Sequence, residues 1–465
     1  MNPPNIYKYL PILLQTLGVN LKGWDIKRHR YNKKFFSILS EFEDMLSWSS
    51  DRIEAFKLSK LKNILDFAFK TVPYYRSTFK KLQFCANEVK DIEDIKLLPL
   101  LTKEIINKNP EAFISEKYSK RNMMKMSTSG TSGAGLTIWL TYEADQAQWA
   151  TFWRYRRQHG IRFGEWMAEF GQAAIVPPEQ RKPPFYRIDY IRKELRLSNN
   201  HMSTDNLWYY FEELDKRKIR WIHGYPSSIT TIANFMINNS LTLSKNPEII
   251  TCGAENLLPF QVDSIQKAFG VSPVQHYGQA EAIANISQCP YGSLHVDEDF
   301  SLVEFEKYGD IDNEYSIVGT TLRNYGMPLI RYQTNDVVVL DDNPCECGRW
   351  GRIVKAINGR QEDYVVCSDG TRVSTLNQQF AAFNKIHAAQ IYQKRRGEVF
   401  LRIVKYPGFS ERDEKELITT LRKRVSEGQM DIIIEYVDEI ARTSRGKSKL
   451  VLTELAEGKI EQLES

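Results

Sequence analysis

Two stretches of this chain have residue types suited to chemistry on a phosphate: Thr128-Ser129-Gly130-Thr131-Ser132-Gly133 and, far downstream, Arg442-Thr443-Ser444-Arg445-Gly446-Lys447. Hydroxyls alternating with glycines let backbone N–H groups approach phosphate oxygens, because glycine adopts positive φ and has no side chain to hold a ligand off. A lysine following a glycine adds a compact positive charge where negative charge must be neutralised. Alone, the first stretch reads as a flexible linker of small residues. What lies between the two decides the matter.

Three further segments follow in order: Tyr277-Gly278-Gln279-Ala280-Glu281, Tyr332-Gln333-Thr334-Asn335-Asp336 and Gly359-Arg360-Gln361-Glu362-Asp363. Glu281 stands four residues after Tyr277, so a helical turn would carry an aromatic ring and a carboxylate to one side. Such a pair offers a flat surface for a base and a hard anionic ligand for Mg²⁺. Asp336 falls between the strand-like runs Leu329-Ile330-Arg331-Tyr332 and Val337-Val338-Val339-Leu340. It is therefore expected at a turn, where a carboxylate can accept both hydroxyls of a ribose. Arg360 is a rigid fork of donors suited to ribose or phosphate oxygens.

These five segments in this order resemble the adenylate-forming superfamily of acyl-CoA synthetases, adenylation domains and luciferases. Within it the likeness is to the phenylacetate-CoA ligase branch and its CapK-like members, found with capsule and surface-polysaccharide genes. It extends over nearly the whole chain, from Val72-Pro73-Tyr74-Tyr75-Arg76 and Leu98-Pro99-Leu100-Leu101-Thr102-Lys103 onward. The resemblance implies an ATP-dependent ligase that forms an acyl-AMP, releases pyrophosphate and transfers the acyl group to coenzyme A. The alternative it leaves open is transfer to an amino sugar or other acceptor. It assigns Thr128, Ser129, Gly130, Thr131, Ser132 and Gly133 to the phosphates of ATP, Gly253, Ala254 and Glu255 to lining the adenine, and Tyr277 with Gly278 to stacking on it. Glu281 is assigned to magnesium, Asp336 and Arg360 to the ribose, Lys447 to catalysis, and Glu362 to an interdomain hinge. Two departures stand out: Asn335 replaces the family's usual glycine, and Ala134-Gly135-Leu136 lacks the lysine that many members place after the phosphate loop. Asparagine tolerates left-handed backbone well enough to keep such a turn.

Cys289, His295, Cys345 and Cys347 fall together between these segments. A Cys-x5-His set joined to a Cys-x-Cys set could close a tetrahedral structural zinc site from two loops. Cys85, Cys252 and Cys367 have no partners by spacing and read as core or surface thiols. Six cysteines in 465 residues do not make a disulfide scaffold, and a reducing cytoplasm fits them.

The elements that must position these groups read as α/β. Residues 1–125 are mainly helical, residues 126–360 alternate strand-like and helical runs around the ATP segments, and residues 361–465 form a small α+β unit, which the resemblance implies is a mobile lid carrying Lys447. The expected C-terminal elements are strands near 388–393 and 399–404, a helix over 411–425 and a strand over 431–436. A hydrophobic content of 42% with 26% charged residues is that of a soluble globular chain, and no apolar run reaches the roughly 18 residues of a membrane span. A net charge of +5 does not point to nucleic acid. A zinc ribbon on nucleic acid is disfavoured because Asp341, Asp342 and Glu346 surround the cysteines. Near the N-terminus, apolar residues between Ile6 and Leu21 precede Lys27-Arg28-His29-Arg30 and Lys33-Lys34. Such a segment can make peripheral contact with an anionic membrane. The reading adopted here is a helix packed on the protein's own core and followed by a solvated basic turn.

Overall fold

Local signals set the helical start of the chain. Asn32, in extended backbone, accepts from the N–H groups of Lys34 and Phe35 to open the helix Lys33–Met45, which buries Phe35, Ile38, Leu39, Phe42 and Met45. Ser49 caps Ser50–Thr71 by accepting from Arg52 N, with Asp51 in its first turn where a carboxylate complements the helix dipole. That helix stops ahead of Pro73, which opens Pro73–Leu82. The structure, a computed structural model, describes residues 6–127, 135–171, 175–308, 314–360, 364–369, 372–374, 386–405, 408–422, 428–440 and 450–455. The architecture is mixed α/β. It divides into two compact units, one from Met1–Asp25, Gly164–Gln275 and Asn358–Ser465, the other from Ile26–Phe163 and His276–Ile357.

In the first unit the strands Ile249–Gly253, Trp221–Gly224, Met167–Phe170 and Glu194–Leu197 run parallel, with Tyr186–Asp189 antiparallel beyond them. Ala168, Phe170, Leu195, Leu197, Ile222 and Ile250 form one core with Tyr210, Leu214, Ile229, Met236, Ile265 and Phe269 of the flanking helices Leu207–Arg217, Pro226–Asn238 and Pro259–Phe269. This is the packing that alternating strand and helix runs lead to. Gly224 is required by closeness: a Cβ there would lie 2.6 Å from the Phe170 carbonyl oxygen. The C-terminal strands Asp431–Tyr436, Glu398–Lys405, Ile386–Arg395 and Val451–Thr453 form a separate sheet. Leu401, Ile403, Leu417 and Leu421 lie in its core together with Phe260.

The second unit places helices beside strands in the order Ser301–Lys307, Glu314–Thr321, Tyr332–Asp341, Ile353–Arg360, Leu294–Val296, Asn285–Gln288 and Val274–Gly278. Buried ion pairs tie the helices to the segment between these strands. Arg154 of the helix Tyr142–Gln158 reaches Asp297 at 2.9 Å and Asp299 at 3.1 Å and donates to the Phe42 carbonyl at 3.0 Å. Lys57 pairs with Glu298, which also takes Arg352 at 2.9 Å.

The N-terminal segment departs from the sequence reading. Its helix is Ile12–Arg30, so the basic residues Lys27, Arg28, His29 and Arg30 form its last turn, where cations complement the dipole. The inward residues are Gln15, Val19 and Gly23, and the leucines point outward, Leu13 being 80% and Leu21 62% exposed. The cause is hydrogen bonding: Arg187 donates to Gln15 Oε1 at 3.0 Å, Asn20 donates to the Ile188 carbonyl at 2.8 Å, and Tyr190 N donates to Asn20 Oδ1 at 2.9 Å. Among the described residues no helix is long and apolar enough to cross a membrane.

Candidate active site and metal centre

Tyr277 lies in the strand Val274–Gly278 and Glu281 in the turn after it, so the expected helical turn does not exist. Pairing of His276, Tyr277 and Gly278 with Ser287, Ile286 and Asn285 holds the run extended, and Ala282 at φ 55° turns the chain between the strands. Gly278 sits where no side chain fits, since a Cβ would meet Asn285 Oδ1 at 2.8 Å and the Phe152 ring at 2.9 Å.

Asp336 also differs from expectation, because it stands inside the strand Tyr332–Asp341 and not at a turn. The pairing with Glu314–Thr321 passes from Ser316 opposite Val337 to Val318 opposite Gln333. Thr334, Asn335 and Asp336 therefore bulge opposite Ile317. Asn335 takes φ 63°. Thr334 Oγ1 donates to the Ile317 carbonyl at 2.9 Å and accepts from Asp336 N at 3.0 Å. The bulge places the carboxylate beside the end of the strand Val274–Gly278. Tyr277 Oη donates to Asp336 Oδ2 at 2.5 Å, and Gln279 Nε2 reaches the same oxygen at 3.1 Å while also bonding the Tyr277 hydroxyl. Burial, then the Asp336 carboxylate, with a smaller push from Glu281, raises the Tyr277 pKa well above 10. The phenol stays a donor at every physiological pH.

The structure thus brings together Tyr277, Glu281 and Asp336, and adds Gln279, which the sequence reading passed over within its own motif. Its signal was a side-chain amide two residues beyond the tyrosine, the spacing that returns to the same side of an extended strand. In the other unit Gly253 ends the strand Ile249–Gly253, Ala254 takes φ 64°, and Glu255 accepts from Ser227 N at 3.2 Å. Glu255 therefore sits at the start of the helix Pro226–Asn238, where negative charge is favoured. Arg360 closes the strand Ile353–Arg360. Thr128, Ser129, Gly130, Thr131, Ser132, Gly133, Glu362 and Lys447 lie outside the described residues.

Cys289, His295, Cys345 and Cys347 converge, their ligand atoms all within 4.8 Å of one another. Cys289 Sγ and Cys345 Sγ are 3.7 Å apart, and Cys347 Sγ is 3.3 Å from His295 Nε2. A tetrahedral zinc with ordinary bond lengths has edges of about 3.8 Å between sulfurs and about 3.5 Å between sulfur and nitrogen. The donor set and its spacing fit such an ion. Burial, followed by the Arg349 guanidinium, lowers the His295 pKa to about 4, so the imidazole is in the neutral form a metal takes. Two glycines shape the loops, Gly292 at φ 95° and Gly348 at φ 68°, neither with a neighbour that would block a side chain. Backbone conformation is what requires glycine there. The cluster joins the turn after Asn285–Gln288 to the connection after Tyr332–Asp341, the strand bearing Asp336. Of the remaining thiols Cys252 and Cys367 are buried and Cys85 is exposed.

The chain is 26% identical over 462 residues to protein CapK of Staphylococcus aureus, a match covering 97% of this chain and 99% of that one. The CapK C-terminal domain family model matches residues 365–454. The chain is thus similar to CapK along nearly its whole length. The solved structures it resembles include a 2-hydroxyisobutyryl-CoA ligase in its postadenylation state with R3-HIB-AMP, at TM-score 0.68 and 15% identity over 90% of this chain and 93% of that one. An anthranilate CoA ligase with anthranoyl-AMP aligns at TM-score 0.50 and 13% identity over 77% and 74% of the two chains. The chain therefore has the adenylate-forming ligase fold. A shorter match, 34% identical over 137 residues, 28% of this chain and 32% of the relative, is to indoleacetate–lysine synthetase of Pseudomonas savastanoi.

Proposed function

We propose that this protein is a cytoplasmic ligase that activates a carboxylic acid with MgATP. The acid's carboxylate attacks the α-phosphorus, an acyl-AMP forms and pyrophosphate leaves. The acyl group then passes to coenzyme A, in the building of capsule or another surface polysaccharide. The observation that supports this is the cluster of Tyr277, Gln279 and Asp336 beside Glu281, on a chain with the adenylate-forming fold.

In this reading Asp336 accepts the ribose hydroxyls with Arg360 alongside, the Tyr277 ring lies against adenine with Gly253, Ala254 and Glu255, and Thr128 to Gly133 holds the β and γ phosphates. Glu281 is the residue that would hold magnesium, whose charge offsets that of the phosphates when bound. Lys447 bridges the attacking carboxylate and the α-phosphate. Such a reaction needs positioning and charge neutralisation from the protein more than covalent chemistry. Residues 361–465 would move about Glu362 between adenylation and transfer. The four-ligand cluster would hold zinc in a structural role, since all four positions are filled by protein.

A second acceptor class has its own support. The relative named for joining indoleacetate to lysine acts on an amine, which favours an amino sugar or another amine as the acceptor in place of a thiol. Both versions share the first half-reaction. Its test is acid-dependent exchange of labelled pyrophosphate into ATP across aryl, hydroxy, amino and short aliphatic acids. Exchange with one acid class is expected, lost in Lys447→Ala, while the variant still transfers from synthetic acyl-AMP. Exchange with no acid, or equal loss of both half-reactions in Lys447→Ala, refutes the assignment.

A further inference from the structure

The helix Ile12–Arg30 docks on its own unit by the wrong face for a helix held by apolar packing. At 3.6 residues per turn, Leu13, Leu17, Leu21 and Trp24 line one side with Leu14 beside them; all are exposed. The buried side is Gln15, Val19 and Gly23. The orientation is fixed by those inner residues: Gln15 and Asn20 are taken up by hydrogen bonds, and a Cβ at Gly23 would lie 2.3 Å from the Asp189 carboxylate. No outward leucine could replace Gly23 on that side. Tyr9, just before the helix, is 78% exposed, while Tyr7 turns inward to donate to the Ile175 carbonyl at 2.7 Å. The result is a continuous apolar stripe ending in exposed Lys27 and Arg28.

Charge identifies the occupant. From Ile6 to Lys34 the chain carries seven lysines and arginines against one acid, Asp25, which pairs with Lys22 at 2.6 Å. That excess outweighs the net +5 of the whole protein, so the remainder is slightly acidic. Leucines on one helix face, a tryptophan and a tyrosine at its margins and cations at its end are the composition of a helix lying in a lipid–water interface. We propose that Tyr9 and the outward face of Ile12–Arg30 dock on a membrane surface rich in anionic lipid, the leucines entering the acyl boundary while Lys27 and Arg28 meet the headgroups.

The test is flotation of the full-length protein with vesicles of phosphatidylcholine alone or with about 30 mol % phosphatidylglycerol. Association is expected with the anionic vesicles and should weaken in about 0.5 M salt. Leu17→Glu with Leu21→Glu should weaken partitioning about tenfold or more, and Lys27→Glu with Arg28→Glu should remove the preference for phosphatidylglycerol. These side chains are exposed, so the variants should melt as the wild type does; Trp24→Phe, which keeps the apolar face, should abolish a vesicle-induced fluorescence shift. No flotation, flotation indifferent to phosphatidylglycerol, or flotation unaffected by the leucine substitutions overturns the proposal. A dimer of the wild type that Leu17→Glu with Leu21→Glu dissociates also overturns it, assigning the face to a second copy.

Discussion

Replacing Tyr277 by phenylalanine separates two roles that one residue would carry in the proposed nucleotide site. The ring is kept, and with it any surface for adenine. What disappears is one short bond from a phenol to the Asp336 carboxylate, 2.5 Å long, together with the contact from Gln279 to that hydroxyl. A hydrogen bond to a charged group is worth about 1.5–3 kcal/mol, so if Asp336 is aimed by this bond, ATP binding should weaken about 10- to 150-fold. The loss should fall on KM for ATP more than on kcat, because ribose contacts hold substrate and transition state alike. Pyrophosphate exchange at varied ATP measures both, and a melting curve checks that the fold is intact. Tyr277→Ala should lose more than Tyr277→Phe by the ring's share. Since burial and Asp336 hold the phenol pKa well above 10, the Tyr277→Phe defect should be independent of pH from about 6 to about 9. A phenylalanine variant with wild-type KM for ATP, alongside an Asp336→Ala variant that no longer binds it, would refute the claim that Tyr277 aims the carboxylate.

The metal cluster should yield one zinc per chain by emission spectrometry after dialysis. Cys347→Ser should lose it and melt earlier, since an ion a thousandfold above its dissociation constant adds about 4 kcal/mol; a metal-free protein unaffected by Cys347→Ser would rule the site out. The Glu298 carboxylate is buried, which by itself raises its pKa, yet Arg352 and Lys57 outweigh this and hold it down at about 2. A lowered folded pKa contributes stability that is present above the unfolded value and lost as pH falls through the folded one. The stability gap between wild type and Glu298→Gln should therefore shrink between about pH 5 and about pH 2 in urea titrations, and a constant gap would contradict the pairing. Arg154→Met removes the charged partner of Asp299 and one of two for Asp297, which keeps Arg349, and should cost about 3–5 kcal/mol. Adding Asp297→Asn and Asp299→Asn should recover much of that; no recovery would mean the loss came from packing.

How much of this was legible in the sequence depends on where the deciding interaction lies. Elements with strong local periodicity were readable: the alternating runs of 126–360 include the helices Tyr142–Gln158 and Pro226–Asn238, and the expected C-terminal strands are Ile386–Arg395, Glu398–Lys405 and Asp431–Tyr436. The Tyr277 segment was misjudged because a five-residue strand with polar and apolar positions mixed has no period to show. Its extended shape comes from pairing with Asn285–Gln288. The Asp336 bulge had a single local mark, an asparagine where glycine is usual, and its register depends on Ile317.

The N-terminal helix shows why pattern alone does not orient an element. Periodicity locates an apolar stripe, but it does not say whether that stripe meets the protein. Burying it would require Gln15, Asn20 and Gly23 to leave partners at Arg187, Ile188 and Asp189, more than 160 residues away. Apart from Val19, which packs on Ile175 and Val176, each inner contact is polar or sterically exclusive, and Gly23 admits nothing larger. Leucines on that face would strand buried polar groups that now pair with the helix, at a cost of about 1–3 kcal/mol for each. The same substitution logic separates the two surfaces. Change on the inner face should be read as lost stability, and change on the outer face as lost docking with the fold unchanged, which is the distinction vesicle flotation and melting together resolve.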